Sequence, residues 1–116
     1  MSIVSNALLS EQEVIIRESA RRVATEVVGS TAAERDRTGA WPHDEIKAVA
    51  DLGFMGMLAP QTYGGSGLSF VEYCLAIEEF AAADGGFATM MHVHNSAAHV
   101  LRSFGTEEQM ARYLPD

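Results

Sequence analysis

An all-α fold, a bundle of five or six helices, is what this sequence predicts, and three observations carry the prediction. Capping-box patterns recur at Ser10-Glu11-Gln12-Glu13, Ser69-Phe70-Val71-Glu72 and Thr106-Glu107-Glu108-Gln109. The stretches after them repeat apolar residues at helical spacing. No segment alternates apolar and polar residues as a strand would. The 116 residues are read as one domain, 1–116, long enough to bury roughly two-thirds of its unfolded surface.

The first helix is predicted from Ser10 to about Val28, with Ile16, Ala20, Val23, Ala24 and Val27 on one stripe. Gly29 is its expected stop, and Thr31 to Ala40 is expected to form a polar connector, helical in part. Trp41-Pro42 opens a second helix, because a proline near the first helical position loses no needed amide. That helix runs through Ile46, Val49, Ala50 and Leu52, and Gly53 is placed as its left-handed stop. Phe54 to Pro60 is almost wholly apolar and reads as a buried turn or a short helix. Tyr63-Gly64-Gly65-Ser66-Gly67-Leu68 reads as a loop, since its glycines disfavour helix and strand. A third helix runs from the Ser69 box to about Asp84, where Gly85-Gly86 breaks it. Phe87 to Phe104 carries a single charge, Arg102, which is the pattern of a buried helix. Gly105 ends it, and a last short helix stops at Leu114-Pro115.

Composition excludes several classes of function. Eight Lys and Arg against sixteen Asp and Glu give a net charge of −8, which opposes nucleic acid and anionic membranes. The same balance offers no broad positive surface for the phosphates of a coenzyme. The lone cysteine, Cys74, excludes an internal disulfide and reads as a core residue. Met1 to Leu9 lacks the features of a signal peptide, and no segment approaches the ~20 apolar residues of a membrane span. A cytoplasmic protein is expected.

Few residues advertise chemistry. The loop Gly64-Gly65-Ser66-Gly67 could cradle a phosphate, but it matches no nucleotide motif and a tight turn is the simpler reading. His92 and His99 share a helix face and His94 points away, so no metal-binding set forms on one face. His92 and Asn95-Ser96 place polar groups in an apolar helix, either because that helix lines a cavity or because they are ordinary hydrogen-bonded core groups. Glu78 and Glu79 diverge by ~100° on their helix and cannot act on one atom; a solvated or salt-bridged face suits them better.

The order of motifs resembles the N-terminal domain of the acyl-CoA dehydrogenase family over nearly the whole chain. The matching pieces are Leu9-Ser10-Glu11-Gln12-Glu13, Ala33-Glu34-Arg35-Asp36 and Leu52-Gly53-Phe54-Met55-Gly56-Met57. They continue with Pro60 and Tyr63-Gly64-Gly65-Ser66-Gly67, Ile77-Glu78-Glu79, Ala83-Asp84-Gly85-Gly86, His94-Asn95-Ser96, Phe104 to Gln109 and Tyr113-Leu114-Pro115. Gln61, Val100 and Met110 depart from the residues common at those places, a glutamate, a proline and a lysine.

The resemblance implies the first of three domains, ahead of a central β domain and a C-terminal helical domain. It implies α,β-dehydrogenation of an acyl-CoA thioester by FAD, reoxidised by an electron-transfer flavoprotein, in a homo-oligomer (dimer or tetramer). In such enzymes the base is a glutamate of the C-terminal domain, and the flavin rests mainly on the other two domains. No catalytic, flavin-binding or metal residue is therefore expected here. What the resemblance assigns to this chain is a wall of the acyl pocket: Thr89, His92, Val93 and Ser96. A polar His92 there would favour a short, branched or polar acyl group. Two alternatives are a flavin oxidase or monooxygenase reusing the fold, and a stand-alone interaction module. A domain made to sit against others should expose an apolar patch; a stand-alone module should not.

Overall fold

In the computed structural model, which describes residues 7–115, six α-helical segments follow one another: α1 (Glu11–Val23), α2 (Gly29–Thr38), α3 (His43–Asp51), α4 (Phe70–Ala83), α5 (Gly85–Phe104) and α6 (Glu107–Tyr113). No strand occurs among these residues. The expectation of a leaderless start, at residues 1–6, and the outer limits of the domain at residues 1 and 116 lie outside the described part.

All three capping boxes form. The Glu13 amide donates to Ser10 Oγ at 3.2 Å, while the Ser10 amide donates to Glu13 Oε2 at 2.7 Å. Ser69 with Glu72 and Thr106 with Gln109 repeat the arrangement. Each box satisfies two amides that a helix start leaves without partners.

Gly29 does not stop the first helix, contrary to expectation. A π-helical turn, Ala24–Val28, joins α1 to α2, and the rod ends only at Gly39, with φ at +71°. The supposed connector is therefore helical through Thr38. Gly29 instead sits where the rod passes α4; a Cβ there would lie 3.5 Å from Ala83 Cβ and 3.2 Å from the Ala24 carbonyl. The rod continues through it despite the roughly 1 kcal/mol that glycine costs inside a helix.

Helix α3 ends as expected. Gly53 adopts φ +87°, its amide donates to Ala50 and the Phe54 amide to Val49, the paired bonds of a Schellman stop. The chain then turns into the core, burying Phe54, Met57, Leu58 and Ala59.

The core lies where α1 and α5 pack on either side of α4. Ala20, Val23 and Ala24 meet Tyr73, Ala76 and Phe80, which meet Phe87, Ala88 and Met91. Phe80 touches Phe54 edge-on at 5.4 Å and stacks on Phe87 at 6.3 Å. Polar ties reinforce the α1–α4 contact: Arg21 grips Glu79 at 2.7 and 3.0 Å, and Gln12 donates to Glu72 at 2.8 Å. Glu79 thus belongs to a salt bridge and Glu78 faces solvent, as their spacing suggests. Arg17, a charged residue, is buried on α1. Cys74 is exposed rather than in the core, because its neighbours Tyr73 and Ala76 take the inward face of α4.

The bundle is a slab of 41 × 41 × 19 Å. Its radius of gyration, 14.8 Å, exceeds the roughly 13 Å of a compact chain of this length. A slab about two helices thick has little interior, so one side of most helices stays outside.

Candidate functional site

Helix α5 begins with Asp84, whose carboxylate accepts from the Phe87 amide at 3.1 Å. The Gly85-Gly86 break is thus no more than a residue long, and both glycines belong to α5. The helix is not buried throughout. Phe87, Ala88, Met91 and Asn95 line its inner side; Thr89, His92 and Val93 are exposed and Ser96 half-buried on another. The uncharged run reflects two uncharged faces, an apolar one in the core and a mixed one that looks outward.

Asn95 settles one open reading. It is fully buried, accepting from the Met57 amide at 2.9 Å and donating to the carbonyls of Phe54 and Met91 at 3.2 and 3.0 Å. It is a core clamp between α5 and the turn at 54–57, not a group facing a cavity. Ser96 and His92 lie on the adjoining, less buried side.

The four expected wall residues come together as one stripe, at spacings of three, four and seven. The stripe continues along α5: Val93, Val100 and Phe104 are 61%, 56% and 84% exposed. Helical spacing from Val93 would have found the last two. Two clefts of the slab lie elsewhere. One, of about 380 Å³, lies between the glycine loop, α5 and the chain end, with His94 in its lining. The other, of about 480 Å³, lies beside Trp41 and Arg35. Neither takes in any of the four residues, which stand on an open surface.

Two members of the stripe, His92 and Ser96, are tied to Tyr73 on another helix. His92 Nδ1 is 2.6 Å from the hydroxyl of Tyr73, a buried residue of α4. Burial, with the Cys74 thiol beside it, pushes the Tyr73 hydroxyl above its usual range, while Ser96 pulls the other way. Sequence reasoning missed Tyr73, since nothing in a linear pattern links it to a residue on the next helix. Thr89 Oγ1 donates to the Gly85 carbonyl at 2.9 Å.

The glycine loop has no donors to offer a phosphate. The amides of Gly64, Gly65, Ser66, Gly67 and Leu68 donate in turn to carbonyls of Gln61, Pro60, Gly56, Ala59 and Met57. A Cβ on Gly65 would lie 2.1 Å from the Ala59 carbonyl oxygen, so the glycine serves a close backbone crossing. These residues do not fit the pyrophosphate of a flavin dinucleotide. Among the described residues, no group of three His, Cys, Asp or Glu side chains stands ready for a metal ion, and no helix is long and apolar enough to cross a membrane.

Comparison with known proteins agrees with the motif order. The model of the family described as acyl-CoA dehydrogenase, N-terminal domain, matches residues 10–116. An acyl-CoA dehydrogenase of Bacillus subtilis is 30% identical over 93% of this chain and 29% of its own. A short-chain specific acyl-CoA dehydrogenase of Clostridium acetobutylicum is 32% identical over 91% of this chain and 28% of its own. A solved chain, from a study of the electron transferring flavoprotein of Acidaminococcus fermentans and flavin-based electron bifurcation, superposes with a TM-score of 0.88. It is 33% identical, over 99% of this chain and 30% of that one. The chain spans less than a third of the length of these relatives.

Proposed function

The chain belongs to the acyl-CoA dehydrogenase N-terminal domain family, and we propose that residues 1–116 form the N-terminal helical domain of an FAD-dependent acyl-CoA dehydrogenase. The whole protein removes hydrogens from the α and β carbons of an acyl-CoA thioester. It passes electrons to an electron-transfer flavoprotein, and works as a dimer or tetramer in the cytoplasm. This chain contributes the wall formed by Thr89, His92, Val93 and Ser96. Catalysis, and the hold on the flavin, belong to residues outside it.

The observation that carries this reading is the outward stripe of α5. An uncharged helix face that leaves Val93, Val100 and Phe104 in water is costly for a domain that stands alone. It suits a domain whose partner segments complete a water-free pocket, where a CoA thioester's weakly acidic α-hydrogen can be removed. The same face disfavours the stand-alone module.

The test is to express the whole open reading frame and, separately, residues 1–116. The whole protein is expected to hold flavin, bleached by a suitable acyl-CoA; the short chain is expected to be colourless and inactive. Stoichiometric flavin in the short chain, or a whole protein that no acyl-CoA reduces, overturns the reading.

A further inference from the structure

We propose that Tyr73 locks His92 in the tautomer carrying its proton on Nε2, so that the wall presents an N–H donor suited to acyl chains bearing a neutral oxygen. The proposal rests on the wall reading above and goes further by naming the substrate class and a positioning residue.

The geometry begins with the 2.6 Å contact between Tyr73 Oη and His92 Nδ1. Two arrangements are possible: the phenol donates to the ring nitrogen, or a ring N–H donates to the phenol oxygen. A phenol is the better donor and an imine nitrogen the better acceptor, so the short separation belongs to O–H···N. Burial of Tyr73, which keeps its proton on, acts in the same direction. With Nδ1 accepting, the neutral ring carries its hydrogen on Nε2.

Tyr73 itself is 6% exposed and packed among Ala76, Phe80 and their neighbours, so its hydroxyl is a fixed anchor. His92 is exposed, and Nε2 has no hydrogen-bond partner among the described residues. Thr89, one turn earlier, has committed its hydroxyl proton to Gly85, and the Ser96 hydroxyl bonds to Tyr73, which leaves His92 as the fixed donor there.

Charge decides which oxygen this donor suits. From Gly85 to Leu101 there is no Lys, Arg, Asp or Glu. A carboxylate brought onto the stripe would lose its hydration against one neutral N–H and no counter-ion on that stretch of α5, an unfavourable exchange. A keto, hydroxyl or ether oxygen loses far less and gains a bond. A purely alkyl chain leaves the N–H without a partner once water is excluded.

The experiment uses the whole flavin-loaded protein and three thioesters of equal chain length: hexanoyl-CoA, its keto analogue with the oxygen next to the chain end, and the dicarboxylic analogue. Histidine ring nitrogen NMR of the same protein reads the tautomer directly. The expected result is a wild-type kcat/KM highest for the keto analogue. His92→Leu should cut the keto-to-alkyl ratio about tenfold, and His92→Gln, which keeps an amide N–H, should restore part of it. Tyr73→Phe should lower the ratio about fivefold and leave His92 a mixture of tautomers. A purely structural role for Tyr73 would move neither the ratio nor the ring signals. Proton on Nδ1 in the wild type, or an unchanged ratio in His92→Leu, overturns the proposal while leaving the wall reading in place if hexanoyl-CoA is still oxidised. A wild-type protein that oxidises none of the three overturns both.

Discussion

Arg35 reaches Asp84 at 2.7 Å, joining the far end of α2 to the junction between α4 and α5. The same guanidinium donates to Glu45 of α3 and to the Val28 carbonyl, each at 2.9 Å, contacts Thr31, and lies 5.8 Å over the Phe87 ring. One side chain thus joins four elements of the slab. Removing one partner from a mostly buried pair leaves a charge uncompensated. Arg35→Met is expected to cost about 3 kcal/mol. Arg37→Met, whose pair with Glu34 is exposed, should cost less than about 1 kcal/mol. Urea unfolding of both variants checks this, and equal losses would deny Arg35 its role as a hub.

The same cluster predicts acid sensitivity. Burial pushes the Asp84 carboxyl up, but the Arg35 guanidinium and the Phe87 and Gly86 amides outweigh it and hold it below its usual range. The Thr31 hydroxyl, against burial and with help from Arg35, does the same for Glu45. Carboxyls lowered in the folded chain contribute stability that is complete above their unfolded values, near 3.8 and 4.5. That contribution is lost as the pH falls through the lower, folded values. The melting temperature should therefore drop more steeply below about pH 4 in the wild type than in Arg35→Met. Parallel curves would show that these carboxyls are not held down by Arg35.

Asn95→Leu should destabilise by about 3 kcal/mol, since it takes the side-chain partner from the buried Met57 amide and Phe54 carbonyl. Asn95→Asp should not rescue it: a carboxylate can accept from Met57 but cannot donate to Phe54 or Met91. A stable aspartate variant at neutral pH would argue that only the Met57 bond matters.

Glycine substitutions should rank by space rather than by angle alone. Gly64 and Gly39 both have positive φ and open space where a methyl would go, so alanine at either should cost about 1 kcal/mol of backbone strain. Gly65→Ala drives a methyl into the Ala59 carbonyl and should cost several times more, displacing the loop. Thermal melts of the three variants give the order, and Gly65→Ala at or below the others would contradict the close crossing.

Much of this fold was legible because its signals are local. A capping box needs residues only three apart, and the Gly53 stop depends on its own backbone angles and the preceding turn. The readings that failed involve partners distant in sequence. Gly29 reads as a stop until Ala83 is placed beside it, and Cys74 reads as core until the inner face of α4 is assigned to Tyr73 and Ala76. The stripe Thr89, His92, Val93 and Ser96 followed from helical spacing and resemblance, and its exposure did not.

By itself, then, the sequence determined the helical class, the starts of the capped helices, the glycine loop and the family, all of which rest on short-range stereochemistry or motif order. Tertiary structure alone decided that α1 and α2 run as one rod, that Asn95 is a clamp, and that Tyr73 holds His92. It also decided which uncharged face of α5 is left uncovered. The reason is physical: periodicity tells how many faces of a helix are uncharged, while only the packing of the other helices selects the face that water keeps.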